Sequence, residues 1–301
     1  MNVLLTGATG FIGSRLAARL ADAGHDVRPV SRRPGARHDW SDASLARGVR
    51  EADAVIHLAG ENLFGRRWTA ARKRLLWSSR CDSTKTLAAL VATRPTMRFI
   101  SASAIGYYGA HPEAAFHEGS PRGRGFIADL CGDWEAATAA ATAAGARTAI
   151  VRIGVVLGPD GGALAKMLPP FKLGLGGPLG DGRQWVSWIH IDDLTSLFCF
   201  LLEHPQASGV FNGTAPEPVT MSQLARALGR ALHRPAIVPV PAPVLRVALG
   251  EVADVLLTGQ KVEPRRTREI GFEFRFSQIE PALRDLVAPR SGSTRSHAGA
   301  G

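Results

Sequence analysis

The chain has 301 residues, of which 45% are hydrophobic and 21% charged, a composition that is typical of a folded globular protein and excludes a disordered or fibrous one. Its net charge of +10 comes mostly from arginines that are spread along the sequence. Neither zinc-finger spacing nor an aromatic RNA-binding motif accompanies these arginines, so we expect no nucleic-acid partner.

Segments that would direct the chain to a membrane or out of the cell are not apparent. No stretch approaches the roughly 20 apolar residues of a membrane helix, and no secretion signal begins the sequence. The three cysteines are far apart and favour free thiols in a reducing compartment over disulfides or a metal site. We therefore expect a cytoplasmic protein that has no membrane partner and no metal ion.

The first seventeen residues predict a buried strand, a glycine-rich turn and a helix. Such a turn directs free backbone N–H groups and the positive end of the helix dipole towards a bound phosphate. The spacing is G-x-x-G-x-x-G, and the glycines allow a tight bend, close approach of a pyrophosphate and packing of the helix on the sheet. The alternative is a tight turn that binds no ligand. The residues that we predict to bind a dinucleotide here are Gly7, Thr9, Gly10, Phe11, Ile12 and Gly13.

The end of the second strand indicates which dinucleotide is bound. An acidic residue at this point usually binds the ribose hydroxyls of NAD, whereas arginine binds the 2′-phosphate of NADP. This sequence has Ser31, Arg32 and Arg33 here, and no acid before Asp39. Two arginines that merely face solvent are the alternative. Because the forked guanidinium matches a phosphate, we predict NADP(H) as the cofactor.

Strand and helix patterns alternate through the first half of the chain. Strand patterns at 53–59, 97–103 and 147–153 are separated by helical patterns at 69–93 and 126–144. This alternation predicts an α/β fold with a doubly wound parallel sheet, the Rossmann fold, which binds ligands beyond the carboxyl ends of its strands.

The second half is less regular, with a long glycine- and proline-rich region after residue 158. We predict a cofactor domain at 1–160, to which segments at about 184–214 return, and a smaller C-terminal α/β substrate domain at 161–287. The small, polar residues 288–301 are expected to be disordered.

Four motifs together resemble one enzyme superfamily: T-G-A-T-G-F-I-G at 6–13, H-L-A-G at 57–60, S-A-S at 101–103 and W-I-H-I-D-D at 188–193. They are similar to the extended short-chain dehydrogenases/reductases. Narrower motifs, such as A-G-E-N at 59–62, D-W-E at 133–135 and R-I-G-V-V-L-G at 152–158, resemble the atypical epimerase-like branch, also called nucleoside-diphosphate-sugar-epimerase-like. The resemblance extends from residue 1 to about 287. It implies an NADP-binding domain and a small substrate domain. It also implies cofactor contacts by Leu58, Ala59, Gly60 and, near the phosphates or adenosine, Arg80.

The catalytic pair of that superfamily is missing from this chain. Typical members use a tyrosine and a lysine four residues later, together with an upstream serine. The chain has only two tyrosines, Tyr107 and Tyr108, which are followed four residues later by His111 and Pro112. A Tyr-x-x-x-Lys pair therefore does not exist in the sequence.

Other residues must replace this pair if the protein is a catalyst. Hydride transfer at a carbonyl needs a proton partner and a polarising hydrogen bond. The predicted catalytic residues are Ser103, Tyr107 and Tyr108, although aromatic packing explains the tyrosines equally well. The predicted substrate-binding residues are Lys166, Gln184 and His190, of which His190 is more readily explained as a structural residue.

These features together predict an NADP(H)-dependent oxidoreductase that acts on a small carbonyl or alcohol substrate. One alternative is a nucleotide-sugar epimerase that holds its cofactor tightly. Another is a non-catalytic NADP(H)-sensing protein, which the missing tyrosine–lysine pair supports. The sequence specifies neither the substrate nor the direction of reaction. It also leaves the oligomeric state open, although a homodimer is frequent in the superfamily.

Overall fold

The computed structural model of the chain describes residues 1–32 and 37–288. One predicted cofactor residue, Arg33, lies outside the described residues, as does nearly all of the predicted disordered tail (289–301).

The described elements follow one another along the whole chain. The strands are β1 (Asn2–Thr6), β2 (Asp26–Val30), β3 (Ala54–His57), β4 (Arg98–Ala104), β5 (Ala115–Phe116), β6 (Arg147–Ile153), β7 (Val155–Gly158), β8 (Trp185–Val186), β9 (Trp188–His190), β10 (Gly209–Gly213), β11 (Val219–Thr220) and β12 (Lys261–Val262). The helices are α1 (Phe11–Asp22), α2 (Asp42–Glu51), α3 (Ala70–Ala92), α4 (Phe126–Ala136), α5 (Ala139–Ala143), α6 (Gly162–Lys172), α7 (Ile191–Glu203), α8 (Met221–Leu232), α9 (Ala242–Leu249), α10 (Val252–Leu257), α11 (Arg265–Glu269) and α12 (Ile279–Val287). None of the helices in the described ranges is long and apolar enough to cross a membrane.

Six parallel strands form the central sheet in the order β10-β6-β4-β3-β1-β2. The central strands β1, β3, β4 and β6 are buried along nearly their whole length because helices cover both faces of the sheet, which is why they read as apolar runs. From β1 the chain moves outward to β2 and then returns to β3 on the opposite side of β1. The strand order therefore reverses between β1 and β3, and such a reversal opens a ligand crevice at the carboxyl ends of the two strands.

Two helical layers cover the sheet and form its hydrophobic core. On one face, Leu16 and Leu20 of α1 pack with Leu197 and Phe198 of α7. On the other face, side chains of α2 and α3 pack against the opposite sides of the same strands. Full burial of a leucine or phenylalanine contributes about 1.5–3 kcal/mol, so these layers hold the crevice-forming strands rigidly.

The C-terminal part builds a second, smaller core around α8. This helix begins with a capping box, in which Thr220 accepts a hydrogen bond from the N–H of Gln223 and the Gln223 side chain accepts one from the N–H of Thr220. The apolar face of α8 packs against α12 and α6. The buried Asp193 carboxylate of α7 accepts the backbone N–H groups of Arg275 and Phe276, and so joins the two parts.

Candidate functional site

The glycine-rich turn lies at the crevice between β1 and β3, and its glycines are required by close contacts. Gly7 has φ +73°, and a Cβ at this position would lie 2.9 Å from the backbone nitrogen of Ala59 in the loop after β3. A Cβ on Gly13 would overlap the carbonyl oxygen of Gly7. Larger residues would therefore push the turn away from both the neighbouring loop and α1, and the crevice would lose its shape.

Helix α1 directs its N-terminus into this crevice. Gly10 is the N-cap residue, and no side chain of the described residues caps the helix. The N–H groups of Phe11, Ile12 and Gly13 begin the helix and have no intrahelical acceptor, so they and the helix dipole form an anion site. The Phe11 ring packs against the glycines of the 158–162 segment, where a Cβ on Gly158 would lie 2.5 Å from it. The side chain of Phe11 thus anchors the start of the helix.

A chain of hydrogen bonds beneath the crevice fixes the loop after β3. The Thr6 hydroxyl accepts the backbone N–H groups of Leu58 and Ala59, each at 3.2 Å. Its own hydrogen is then donated to Nδ1 of His57 at 2.6 Å, which leaves the hydrogen of the imidazole on Nε2, 3.1 Å from the Ser83 hydroxyl. Burial lowers the pKa of His57 to about 3, and so the ring is neutral.

Arg80 supports the same loop from below. Its guanidinium donates to the carbonyl oxygens of Glu61 at 2.9 Å and of Leu76 at 3.2 Å. A Cβ on Gly60 would lie 3.2 Å from Cζ of Arg80, so the loop rests directly on the guanidinium. The resemblance implied a position for Arg80 near the phosphates or adenosine of the cofactor. In the structure its guanidinium donates to two backbone carbonyl oxygens.

Arg32 follows β2 and is exposed at the other side of the crevice. The hydrogen bond from Arg72 lowers the pKa of Glu61, and the charge of Arg32 contributes to the same shift. Arg32 therefore lies close enough to the loop after β3 for its charge to act on the carboxylate of Glu61. The backbone of Ser31 is held in place because its N–H donates to the carbonyl oxygen of His38 at 3.0 Å.

A second polar cluster begins at the carboxyl end of β4. The Ser103 hydroxyl donates to Oε1 of Glu135 at 2.7 Å, and Glu135 forms a two-point ion pair with Arg152 at 2.7 and 2.8 Å. Arg152 also donates to the hydroxyl oxygen of Tyr108 at 3.0 Å, and this hydroxyl donates to Oδ1 of Asn212 at 2.7 Å. The cluster thus crosses from β4 through α4 and β6 to β10.

The two tyrosines have different surroundings in this cluster. Tyr108 is buried, both sides of its hydroxyl are occupied, and burial raises its pKa to about 12. Tyr107 is partly exposed, and its ring lies on the guanidinium of Arg152 at 3.4 Å. Of the two, Tyr107 is the one open to a ligand.

Sequence reasoning did not assign functions to Glu135 and Arg152, which organise this cluster. Arg152 directly follows the apolar run A-I-V of the buried strand β6, and Glu135 lies on a helix whose inner face is apolar. A charged residue among buried apolar residues needs a partner of opposite charge. This requirement is the feature of the sequence that could have identified Glu135 and Arg152.

The three predicted substrate residues are not joined by contacts among the described residues. Lys166 is exposed on α6, and the side-chain amide of Gln184 donates to the carbonyl oxygens of Leu179 and Leu256. His190 is fully buried and stacks on Phe276 with ring centroids 4.1 Å apart. Gln184 and His190 thus connect parts of the C-terminal region.

His190 also belongs to a group of possible metal ligands with Asp192 and Asp285. Its Nδ1 accepts the backbone N–H of Asp192 at 3.0 Å, so the hydrogen of the neutral ring is on Nε2, which faces Asp285 at 3.3 Å. Burial lowers the pKa of His190. A protonated Nε2 cannot bind a metal ion, and the arrangement is that of a structural His–Asp contact.

The fold and crevice are those of a family of nicotinamide-dependent enzymes, and the chain belongs to the NAD dependent epimerase/dehydratase family. The model of this family matches residues 3–212, and that of a domain of unknown function (DUF1731) matches residues 240–286.

Particular relatives match almost end to end. Epimerase family protein SDR39U1 of Mus musculus is 44% identical over 295 residues, covering 96% of this chain and 100% of the relative. The chloroplastic SDR39U1 homolog of Arabidopsis thaliana is 42% identical over 95% of this chain and 87% of its own length. The crystal structure of human SDR39U1 (isoform2) with NADPH superimposes with a TM-score of 0.88 at 38% identity, over 95% of this chain and 99% of that one.

The comparisons confirm the family, the fold class and the nicotinamide dinucleotide cofactor that the sequence predicted. More distant structures show the fold alone, for example MoeE5 in complex with UDP-glucose and NAD, with a TM-score of 0.78 at 21% identity. The family supports an enzyme of the oxidoreductase or epimerase type. The assignments of individual catalytic and substrate residues stay predictions.

Proposed function

We propose that the protein is an NADP(H)-dependent oxidoreductase that acts on a small carbonyl or alcohol substrate. The observation that carries the proposal is the uncapped N-terminus of α1 beside the loop after β3, with the exposed Arg32 following β2. The NADPH in the structure of human SDR39U1 supports the phosphorylated form of the cofactor.

The residues of the crevice fit such a cofactor. Backbone atoms lie where Cβ atoms at Gly7 and Gly13 would be, so the turn packs closely on the loop after β3 and on α1, and it holds in place the N–H groups that a pyrophosphate would bind. The guanidinium of Arg32 would form paired hydrogen bonds with a 2′-phosphate. When bound, the cofactor donates or accepts the hydride.

The cluster at the end of β4 supplies the groups for proton transfer. In the structure the Ser103 hydroxyl donates its hydrogen to Glu135; to polarise a bound carbonyl, this hydroxyl would turn from Glu135 and donate to the reacting oxygen. Tyr107 exchanges the proton with that oxygen, in the place of the missing tyrosine of the superfamily. The Glu135–Arg152 ion pair positions both residues, since it holds Ser103 directly and supports the Tyr107 ring.

A non-catalytic NADP(H)-sensing protein is the second candidate. It is favoured by the absence of a Tyr-x-x-x-Lys pair and by the enclosed hydroxyl of Tyr108. In that case NADP(H) would bind in the same crevice and change the conformation of the protein, and no reaction would follow.

Turnover assays separate these candidates. We would follow NADPH absorbance with a panel of ketones and aldehydes, NADP⁺ reduction with secondary alcohols, and UDP-glucose conversion by NMR. The proposal predicts consumption of NADPH or NADP⁺ that slows at least tenfold in Ser103→Ala. Conversion of UDP-glucose without net change in cofactor would indicate an epimerase. Turnover that is unaffected by the site substitutions would contradict the assignment, and cofactor binding without turnover would favour the sensor.

A further inference from the structure

Helix α9 is apolar around its circumference but is only partly packed against the protein. Its sequence is A-P-V-L-R-V-A-L, with Arg246 as the single polar side chain. None of its eight residues, all within the described chain, is buried, and Val244 and Val247 are 55% and 75% exposed. A helix that is apolar on all sides normally lies in a core, so this one has a face that needs a cover.

Both ends of α9 are nevertheless held firmly. The preceding segment pairs with the 176–180 segment through the N–H groups of Val238 and Val240, which donate to Gly176 and Pro178. The following helix, α10, buries Val252 and Ala253. Proline begins α9, and Gly250 with φ +62° ends it. The helix is therefore held at its two ends, and Val244 and Val247 between them are exposed.

Two contacts tie α9 and the residues after it to the loop that follows β3 and to the start of α3. The Arg67 guanidinium donates to the carbonyl oxygens of Val247 and Ala248 at the end of α9. Lys73 at the start of α3 pairs with Glu251 at 2.6 Å. Phe64, in the same loop as Arg67, is 40% exposed. Because this loop leaves the carboxyl end of β3, these contacts bring α9 to the edge of the sheet where the cofactor crevice opens.

We infer that α9 covers the substrate side of the crevice and that the substrate has an apolar body, such as the hydrocarbon chain or ring of a ketone or secondary alcohol. This inference rests on the proposed function, since it names the substrate class of the same site. A nucleotide sugar would need polar partners, whereas the one polar side chain of α9, Arg246, is directed to Asp254 at 3.5 Å. Because α9 lies next to the cofactor crevice, a substrate is favoured over a second copy of the chain as the group that covers its apolar face.

The test uses the full protein loaded with NADP⁺ and the fluorescent apolar probe N-phenyl-1-naphthylamine. We expect saturable binding of the probe, displacement by 2-decanone, and no displacement by UDP-glucose. Val247→Asp should weaken binding of the probe more than tenfold. The matched control is Ile237→Asp, which changes an even more exposed apolar residue outside α9 and should alter binding less than twofold.

Several outcomes would overturn the inference. They are an absence of probe binding, equal weakening by Val247→Asp and Ile237→Asp, and displacement of the probe by UDP-glucose in place of 2-decanone. A dimer in sedimentation that Val247→Asp dissociates would identify α9 as an interface between copies and would also contradict it. The NADPH affinity of the same samples separates the two proposals. Wild-type protein that binds NADPH but not the probe refutes only the inference, whereas failure to bind NADPH refutes the proposed function.

Discussion

Thr6 and His57 form a buried hydrogen bond of 2.6 Å between neighbouring strands, and this bond requires a neutral imidazole. Thr6 donates to Nδ1 because its lone pairs accept the N–H groups of Leu58 and Ala59. A proton on Nδ1 would reverse the bond and release the loop that lies against Gly7. The integrity of the crevice is therefore linked to the charge of one histidine.

The free energy of unfolding should fall in mild acid because of His57. Its pKa is about 3 in the folded protein, against the ordinary histidine pKa of 6.5 in the unfolded chain, so between these values the unfolded state binds the extra proton. The contribution of His57 to the free energy of unfolding is fully present above pH 6.5. Below this pH it decreases by about 1.4 kcal/mol per pH unit, so about 2 kcal/mol has been lost at pH 5. Urea unfolding at pH 7.5 and pH 5 would measure this. His57→Asn should lose less stability than wild type over the same interval; an identical loss would contradict the assignment.

Substitution of Gly7 should abolish cofactor binding, and Gly24 offers a matched control. Both residues have similar positive φ, +73° and +79°, so alanine strains the backbone to a similar extent, by about 1 kcal/mol. A Cβ on Gly7 meets the backbone of Ala59, whereas no described atom lies within 4 Å of one on Gly24. We expect Gly7→Ala to weaken NADPH binding at least a hundredfold and Gly24→Ala less than threefold, as measured by fluorescence titration. Similar losses in both would mean that the turn does not approach the cofactor.

Removal of the Glu135 charge should destabilise the protein strongly. The Arg152 side chain is 4% exposed, so Glu135→Gln leaves a buried guanidinium without its counter-charge, at a cost of about 3–5 kcal/mol. The control is Asp181→Asn, which breaks the exposed Asp181–Arg183 pair and should cost less than about 1 kcal/mol. Urea denaturation midpoints would compare the two. Equal effects would mean that the Ser103–Glu135–Arg152 cluster is not a rigid support.

The two tyrosines should respond differently to loss of the hydroxyl. Tyr107→Phe should slow hydride transfer by about 10²–10⁴ with little change in stability, because the proposed function assigns the proton exchange to this open phenol. Tyr108→Phe should lower stability by about 1–3 kcal/mol, because Asn212 and Arg152 lose a buried partner. Single-turnover rates and thermal unfolding would measure these effects with a substrate from the turnover screen. A larger rate effect for Tyr108 would reverse the assignment.

Local patterns predicted the crevice well because its parts are contiguous in sequence. The strand, the glycine turn and the first turn of α1 lie within thirteen residues. The close backbone contacts of the turn require glycine, and the regular spacing of these glycines can be recognised in the sequence. The helix at 70–92 was likewise predicted by periodicity.

Features that depend on tertiary contacts were harder to predict. Glu135 meets Arg152 only because α4 packs beside β6, and nothing in either segment identifies the partner. The helical pattern at 126–144 is divided into α4 and α5, and α6 forms within the region expected to be irregular in spite of Pro169 and Pro170. In α6 the buried Leu164 and Phe171 pack into the smaller core, and this packing outweighs the local signals of proline and glycine.

The most direct test of the central claim is a fluorescence titration with NADPH and NADH of the wild type, Arg32→Ala and Arg226→Ala, which changes an exposed arginine on α8. The account predicts that the wild type prefers NADPH by more than tenfold. This preference should disappear in Arg32→Ala through weaker NADPH binding and persist in Arg226→Ala. Equal affinity of the wild type for the two nucleotides, or binding of neither, would contradict the assignment of this crevice as an NADP(H) site.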